Sequence, residues 1–277
     1  MGFITLGVFE GWYAKKPMFR PSVFRSRSTI MQFINTMIHG MLMWMVLYYM
    51  SVFYLGVKSL SPVMTGVWAL PATLTVAPLA MVVGIVVSKT GHYRWFLLSG
   101  WCLTITALGV MILIDEDMPN GALISITMLL GIAMGILIPA MSVGVQATVE
   151  RADAGHAIAM IYVLRSAGQC LGVAVGLSVF SSRLRLGLEE LGHGKDAAQN
   201  TMKAIRHSLR TGGLADVAML DAVITALGYV WVTGCAMAAV AGILALCTKC
   251  PHLPRDEADF PAQAQTTGSP PDGEEAR

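Results

Sequence analysis

Six long apolar segments separated by short polar turns occupy most of this chain: approximately Ile30–Leu55, Met64–Val87, Trp95–Ile114, Ala122–Val145, His156–Phe180 and Ala222–Cys247. About 20 apolar residues in helical form cross a ~30 Å hydrocarbon core, and each segment has that reach. A helix on a water-soluble domain alternates apolar and charged residues, because one of its faces meets water. These segments are apolar on every side. Hydrophobic residues therefore reach 55% of the chain and charged residues only 13%, about half the charged share of a soluble domain. The fold class that follows is an all-α polytopic membrane protein, a six-transmembrane-helix bundle in a lipid bilayer.

The remaining charge sits in turns and ends, and the net charge of +2 gives no reason to expect a nucleic-acid partner. The segments hold no paired carboxylates, histidine cluster or activated nucleophile, so neither enzyme chemistry, a metal nor a cofactor is expected. Cys247 and Cys250 form a C-x-x-C with only His252 adjacent, too few ligands for a metal centre; they read as juxtamembrane thiols.

Three regions divide the chain. Residues 1–29 read as the end of a preceding helix and a cytoplasmic linker. The apolar run Met1–Phe9 is too short to span at ~13 Å, and Glu10, Lys15 and Lys16 follow it; a short interfacial anchor is the alternative. Residues 30–247 form the bundle, with a long external loop at 181–221 whose Leu184–Leu188 and Met202–Leu209 pieces are expected to lie on the outer surface. Residues 248–277, rich in Pro, Gln and Gly with terminal acids, read as a disordered cytoplasmic tail.

Basic residues set the orientation. Lys15, Lys16, Arg20, Arg25 and Arg27 precede the first segment, Lys89 and Arg94 lie in the second turn, Arg151 in the fourth, and Lys249 and Arg255 after the last. The opposite turns carry Lys58 and the acidic Asp115-Glu116-Asp117. The positive-inside rule puts both ends in the cytoplasm. The 181–221 loop breaks the pattern with several Lys and Arg, but long loops weigh little in that rule.

Inside the segments, polar and small residues fall at helical spacing. Gln32, Asn35, Thr36 and His39 stand at i, i+3, i+4 and i+7, on one face, which must look into the bundle or a wet cavity rather than at lipid. Met43, Trp44, Tyr48 and Tyr49 continue the first segment as a thioether and aromatic surface suited to flat apolar compounds. For Asn35 and His39, packing at the helix end competes with a binding role. Gly131, Gly135 and Pro139 form a stripe in the fourth segment, and Gly168, Gly172 and Gly176 another in the fifth; such stripes let helix backbones approach. Pro71, Pro78 and Pro139 bend their helices. Close packing and a rocking bundle both require these features.

Arg165 lies roughly 14 Å along the fifth segment, with Gln169 one turn on. An arginine at such depth is expensive and needs a partner or a hydrated path. A structural clamp, a cavity charge and a side chain snorkelling to the surface are the three readings. No Asp or Glu occurs within the first five segments, which leaves His39 as the one titratable candidate near neutral pH.

Several stretches carry a resemblance. Gly84-Ile-Val-Val-Ser-Lys89-Thr-Gly91-His-Tyr-Arg94 resembles the second copy of the loop signature of the major facilitator superfamily. Tyr48–Lys58 with Ser61-Pro62 and Gly66–Pro71, Gly131–Gly135 with Pro139, Gln146 and Ala147, and Arg165–Gly176 resemble the C-terminal half of its fourteen-helix drug:proton antiporter branch, above all fungal multidrug and toxin efflux carriers. Ser51 and Leu55 depart from that branch, which usually has proline and glutamine there. The resemblance covers roughly residues 9–247 and implies a fold of six helices, one half of a major facilitator transporter. It implies export of amphipathic molecules or toxins by alternating access coupled to protons, with the proton-binding acid in an N-terminal half not included here. The implied partners are a small hydrophobic substrate, protons, and that missing half or a second copy; the implied residence is the plasma membrane, with the vacuolar membrane as alternative. Asn35, His39, Met43, Trp44, Tyr48, Gln146, Arg165 and Gln169 are the expected substrate contacts. Gly84, Lys89, Gly91, Arg94, Gly131, Gly135, Pro139, Gly168, Gly172 and Gly176 are the expected conformational and packing residues. A six-helix binding or regulatory subunit with no transport of its own is the alternative function.

Overall fold

The computed structural model describes residues 21–190 and 217–248. The expected linker at 1–20, the Met202–Leu209 piece, Cys250 and the tail beyond 248 lie outside the described residues. Among the described residues, a short 3-10 turn at Pro21–Phe24 is followed by six α-helices: α1 Arg27–Gly56, α2 Pro62–Thr90, α3 Tyr93–Met111, α4 Asn120–Gln146, α5 Ala154–Glu190 and α6 Val217–Cys247. All six are long and apolar enough to span a membrane.

Local chemistry fixes several boundaries. Ser61 caps α2 by accepting from the Met64 N–H at 3.3 Å, and Pro62 at the first helical position loses no hydrogen bond there. Gly91 ends α2 in the left-handed region at φ 68°, its N–H bonding the Val87 carbonyl at 2.9 Å. A residue with a Cβ resists that conformation, so glycine is what allows the chain to turn into α3 within two residues.

The fifth helix runs ten residues past Phe180, into the stretch read from sequence as loop. The reason is burial. Leu184 and Leu188, one turn apart, are buried in the main core beside Phe180, Leu220 and Val223. Arg185 and Glu189 form an i,i+4 ion pair at 3.6 Å on the outer face. The Leu184–Leu188 piece thus continues a spanning helix instead of lying on a surface.

Cross-chain contacts define the two ends of the bundle. The Thr29 hydroxyl donates to that of Thr148 at 2.9 Å, joining the start of α1 to the end of α4, and Thr248 reaches Met31. At the opposite end Lys58 donates to the carbonyls of Glu116 and Met118, joining the α1–α2 and α3–α4 turns. The core between them holds Leu42, Met45 and Tyr49 of α1, Trp101 and Leu108 of α3, Leu137 and Met141 of α4, and Val230 and Trp231 of α6.

Two helix pairs, α1 with α5 and α2 with α4, pack most intimately. Both glycine stripes lie in these seams. A Cβ on Gly168 or Gly172 would run into the carbonyl oxygen of Met37 or Met41, and one on Gly40 into that of Arg165. Gly176 is filled by the Tyr49 ring. In the other seam a Cβ on Gly131 would come 2.5 Å from the Ala72 carbonyl, and one on Gly135 2.9 Å from that of Val76. Backbone touching backbone is the source of association where lipid removes any hydrophobic drive.

Candidate functional site

The polar face of α1 turns inward, as its spacing requires. Gln32, Asn35, Thr36 and His39 are all fully buried, and their neighbours come chiefly from α4. A Cβ on Gly144 would stand 2.7 Å from the Gln32 amide nitrogen and 3.2 Å from the Tyr93 ring, so a glycine makes room for the glutamine. Thr36 donates to its own helix at the Gln32 carbonyl, 2.9 Å, and lies 3.9 Å from the Met141 sulfur. His39 Nε2 is 3.4 Å from the Met134 carbonyl.

Arg165 of α5 joins this group. It lies within electrostatic reach of His39 and of Tyr162, and its backbone carbonyl abuts Gly40. Its Nε and Nη2 are buried without a hydrogen-bond partner, as are both amide atoms of Gln32 and of Asn35 and the Nδ1 of His39. Each such group costs about 1–3 kcal/mol. No Asp or Glu occurs in α1 to α4, nor in α5 before Glu189. The result is a polar junction of α1, α4 and α5 that holds one partly buried guanidinium and four buried polar side chains.

The other expected contacts do not gather there. Trp44 and Tyr48 are 43% and 48% exposed, on a different face of α1 from Asn35 and His39. Gln146 closes the far end of α4, its amide donating to the Ser142 carbonyl at 3.1 Å. It is twelve residues from Met134, or ~18 Å of helix from the carbonyl that His39 meets. Gln169 is half-buried one turn from Arg165. In the α2–α3 turn Lys89 and Arg94 are exposed on either side of Gly91, and Gly84 lies against Pro139, with 3.7 Å available to a Cβ.

Met43 belongs to a second feature, one that residue-by-residue reading of sequence missed. A crevice of about 90 Å³ opens between α1, α2 and α4. Val46, Met50 and Tyr54 extend the α1 wall, Trp68 stands at one end, and Leu130 and Met134 form the α4 wall. The α2 wall is made of Ala69, Ala72, Thr73 and Val76. Those four stand at i, i+3, i+4 and i+7, a stripe of small residues on one helix face. That spacing was the available signal.

Comparison with known proteins agrees with this architecture. Residues 5–173 match the profile of the Major Facilitator Superfamily. MFS transporter L2 of a Phoma species is 33% identical over 250 residues, 88% of this chain and 42% of that protein. MFS efflux transporter aclA of Aspergillus oryzae is 30% identical over 184 residues, 66% of this chain and 33% of its own. MFS-type efflux pump MMF1 of Mycosarcoma maydis is 25% identical over 183 residues, covering 66% of this chain and 30% of the pump. The chain thus spans about a third to two fifths of the length of these relatives. With six apolar helices, glycine-packed seams and a profile match over more than half its length, this chain belongs to the Major Facilitator Superfamily.

Proposed function

We propose that this chain works as the C-terminal half of a secondary active transporter that exports amphipathic small molecules or toxins by alternating access coupled to protons. The observation that carries the reading is the polar junction of Gln32, Asn35, His39 and Arg165, whose buried amide, imidazole and guanidinium nitrogens have no hydrogen-bond partner. A bundle selected only for stability would hold apolar side chains there, because buried polar groups without partners weaken it. Relatives named as efflux pumps support the direction of transport. The absence of acids from α1 to α4 supports a proton-binding carboxylate outside this bundle, in a complementary N-terminal half or a second copy. Basic residues at one end of the bundle support cytoplasmic termini, and the plasma membrane is the proposed residence.

The test is efflux of a fluorescent amphipath from cells that co-express this chain with an N-terminal six- or eight-helix half from one of the relatives. Arg165→Ala should cut energy-dependent efflux by roughly tenfold or more, the equivalent of a charged hydrogen bond, at unchanged membrane abundance. A protonophore should abolish the wild-type signal. Normal efflux in the Arg165 variant would sink the role of the junction. A stable complex with no efflux would favour the regulatory-subunit reading instead.

A further inference from the structure

We infer that Arg183 of α5, stacked on the Tyr229 ring of α6, holds the phosphate of a membrane phospholipid whose acyl chain lies along an exposed apolar track on α6. The site stands apart from the polar junction and from the crevice, and it does not rest on the transport reading above.

Helix length puts the pair at headgroup level. Arg183 stands as far beyond Ala154 in α5 as Lys58 stands beyond Thr29 in α1, roughly 43 Å of helix. That is the thickness of a bilayer with its headgroups. A Cβ on Gly187 would lie 3.7 Å from the Ala222 side chain, and the Arg183 guanidinium carbon is 3.9 Å from the Tyr229 ring centroid. Contacts in that order make α5 and α6 antiparallel and keep them packed to this end of the bundle. Side chains on a helix lean towards its N-terminus. Arg183 therefore leans into the bilayer, Tyr229 leans out of it, and the two meet where phosphates lie.

The charge there calls for an anion. Arg185, two residues on, is neutralised by Glu189 at 3.6 Å. Arg183 is exposed and forms no ion pair among the described residues; Asp221, the described acid of α6 at this end, is exposed and does not pair with it. The Tyr229 ring covers one face of the guanidinium and leaves its N–H groups in a plane, a fork that fits two oxygens of one phosphate. Phosphate is the anion that a bilayer supplies at this level. Along α6, Tyr229, Val232, Ala236, Val240 and Ile243 fall at i, i+3, i+7, i+11 and i+14, on one helix face, and all five are exposed. The track runs about 21 Å into the bilayer. A free phosphate ion would meet the fork and miss the track, whereas a phospholipid uses both.

The test is native mass spectrometry of the 277-residue chain in detergent, titrated with dioleoylphosphatidylglycerol, dioleoylglycerol or inorganic phosphate. The first carries one phosphate and no amine, the second the same chains without phosphate, and the third phosphate without chains. The first phosphatidylglycerol should bind at least about tenfold more tightly than dioleoylglycerol, the range of a charged hydrogen bond, and millimolar inorganic phosphate should not displace it. Arg183→Gln should lower the affinity to that of dioleoylglycerol. Arg183→Lys, a point charge without the fork, should fall between wild type and Arg183→Gln. Tyr229→Leu, which keeps an apolar surface and removes the ring, should weaken binding roughly 2- to 5-fold. Lys58→Met removes one positive charge at the same end of the bundle and should leave binding unchanged. Wild-type affinity in Arg183→Gln, equal losses in Lys58→Met and Arg183→Gln, or displacement by inorganic phosphate would each overturn the proposal. Because the readout is binding, a chain that exports nothing can still give the expected result, and a failed titration leaves the transport reading intact.

Discussion

Gly168 of α5 lies directly against the Met37 carbonyl of α1, so close that a methyl group in place of its hydrogen has no room. The obstacle is backbone rather than a movable side-chain tip, so relief requires the helices to separate. Gly168→Ala should therefore destabilise the bundle by about 1–3 kcal/mol, the usual penalty of overpacking. Gly66→Ala, at a helical position with nothing within 4 Å, should stabilise by about 0.5–1 kcal/mol instead. Thermal unfolding of both variants in one detergent checks the opposite signs.

At the polar junction the sign reverses for stability and function. Asn35→Leu and Gln32→Met replace buried amides that make no hydrogen bond with apolar groups of similar volume. Each should raise stability by about 1–2 kcal/mol. If the junction serves transport, each should also lower efflux, since functional sites are retained against stability. Melting temperature and efflux measured on the same preparations test the trade-off. A stabilised variant with full efflux would assign these amides to packing alone.

Gly91 holds φ 68° between α2 and α3. Gly91→Ala forces a Cβ into the left-handed region at a cost of about 1–2 kcal/mol. The effect should appear in chemical unfolding and as faster hydrogen exchange at Thr90 to Tyr93.

Lys58 ties the α1–α2 turn to the α3–α4 turn through the Glu116 and Met118 carbonyls. Lys58→Met keeps the stem and removes the donors. Global stability should fall by no more than about 1 kcal/mol, because the site is partly solvated. Hydrogen exchange at residues 115–118 should accelerate, while exchange in the Trp101 and Leu108 region of α3 should not change.

Hydropathy and residue spacing are properties of the chain itself, and they determined the six spans, the approximate ends of all but α5, and the inward turn of Gln32, Asn35 and His39. Twenty apolar residues satisfy their own backbone only as a helix in lipid, and a polar stripe at helical period has one low-energy direction to face. The glycine stripes likewise announced close contact. Only the tertiary structure decided which helix fills each groove: α1 against Gly168 and Gly172, and α2 against Gly131 and Gly135. It also decided that Trp44 and Tyr48 stand away from the junction that Arg165 completes, and that α5 continues to Glu190 because Leu184 and Leu188 find a core. The crevice at Tyr54 belongs to the same class. Each depends on contacts between residues far apart in sequence, and helical period along one segment carries no information about which neighbour will cover its faces.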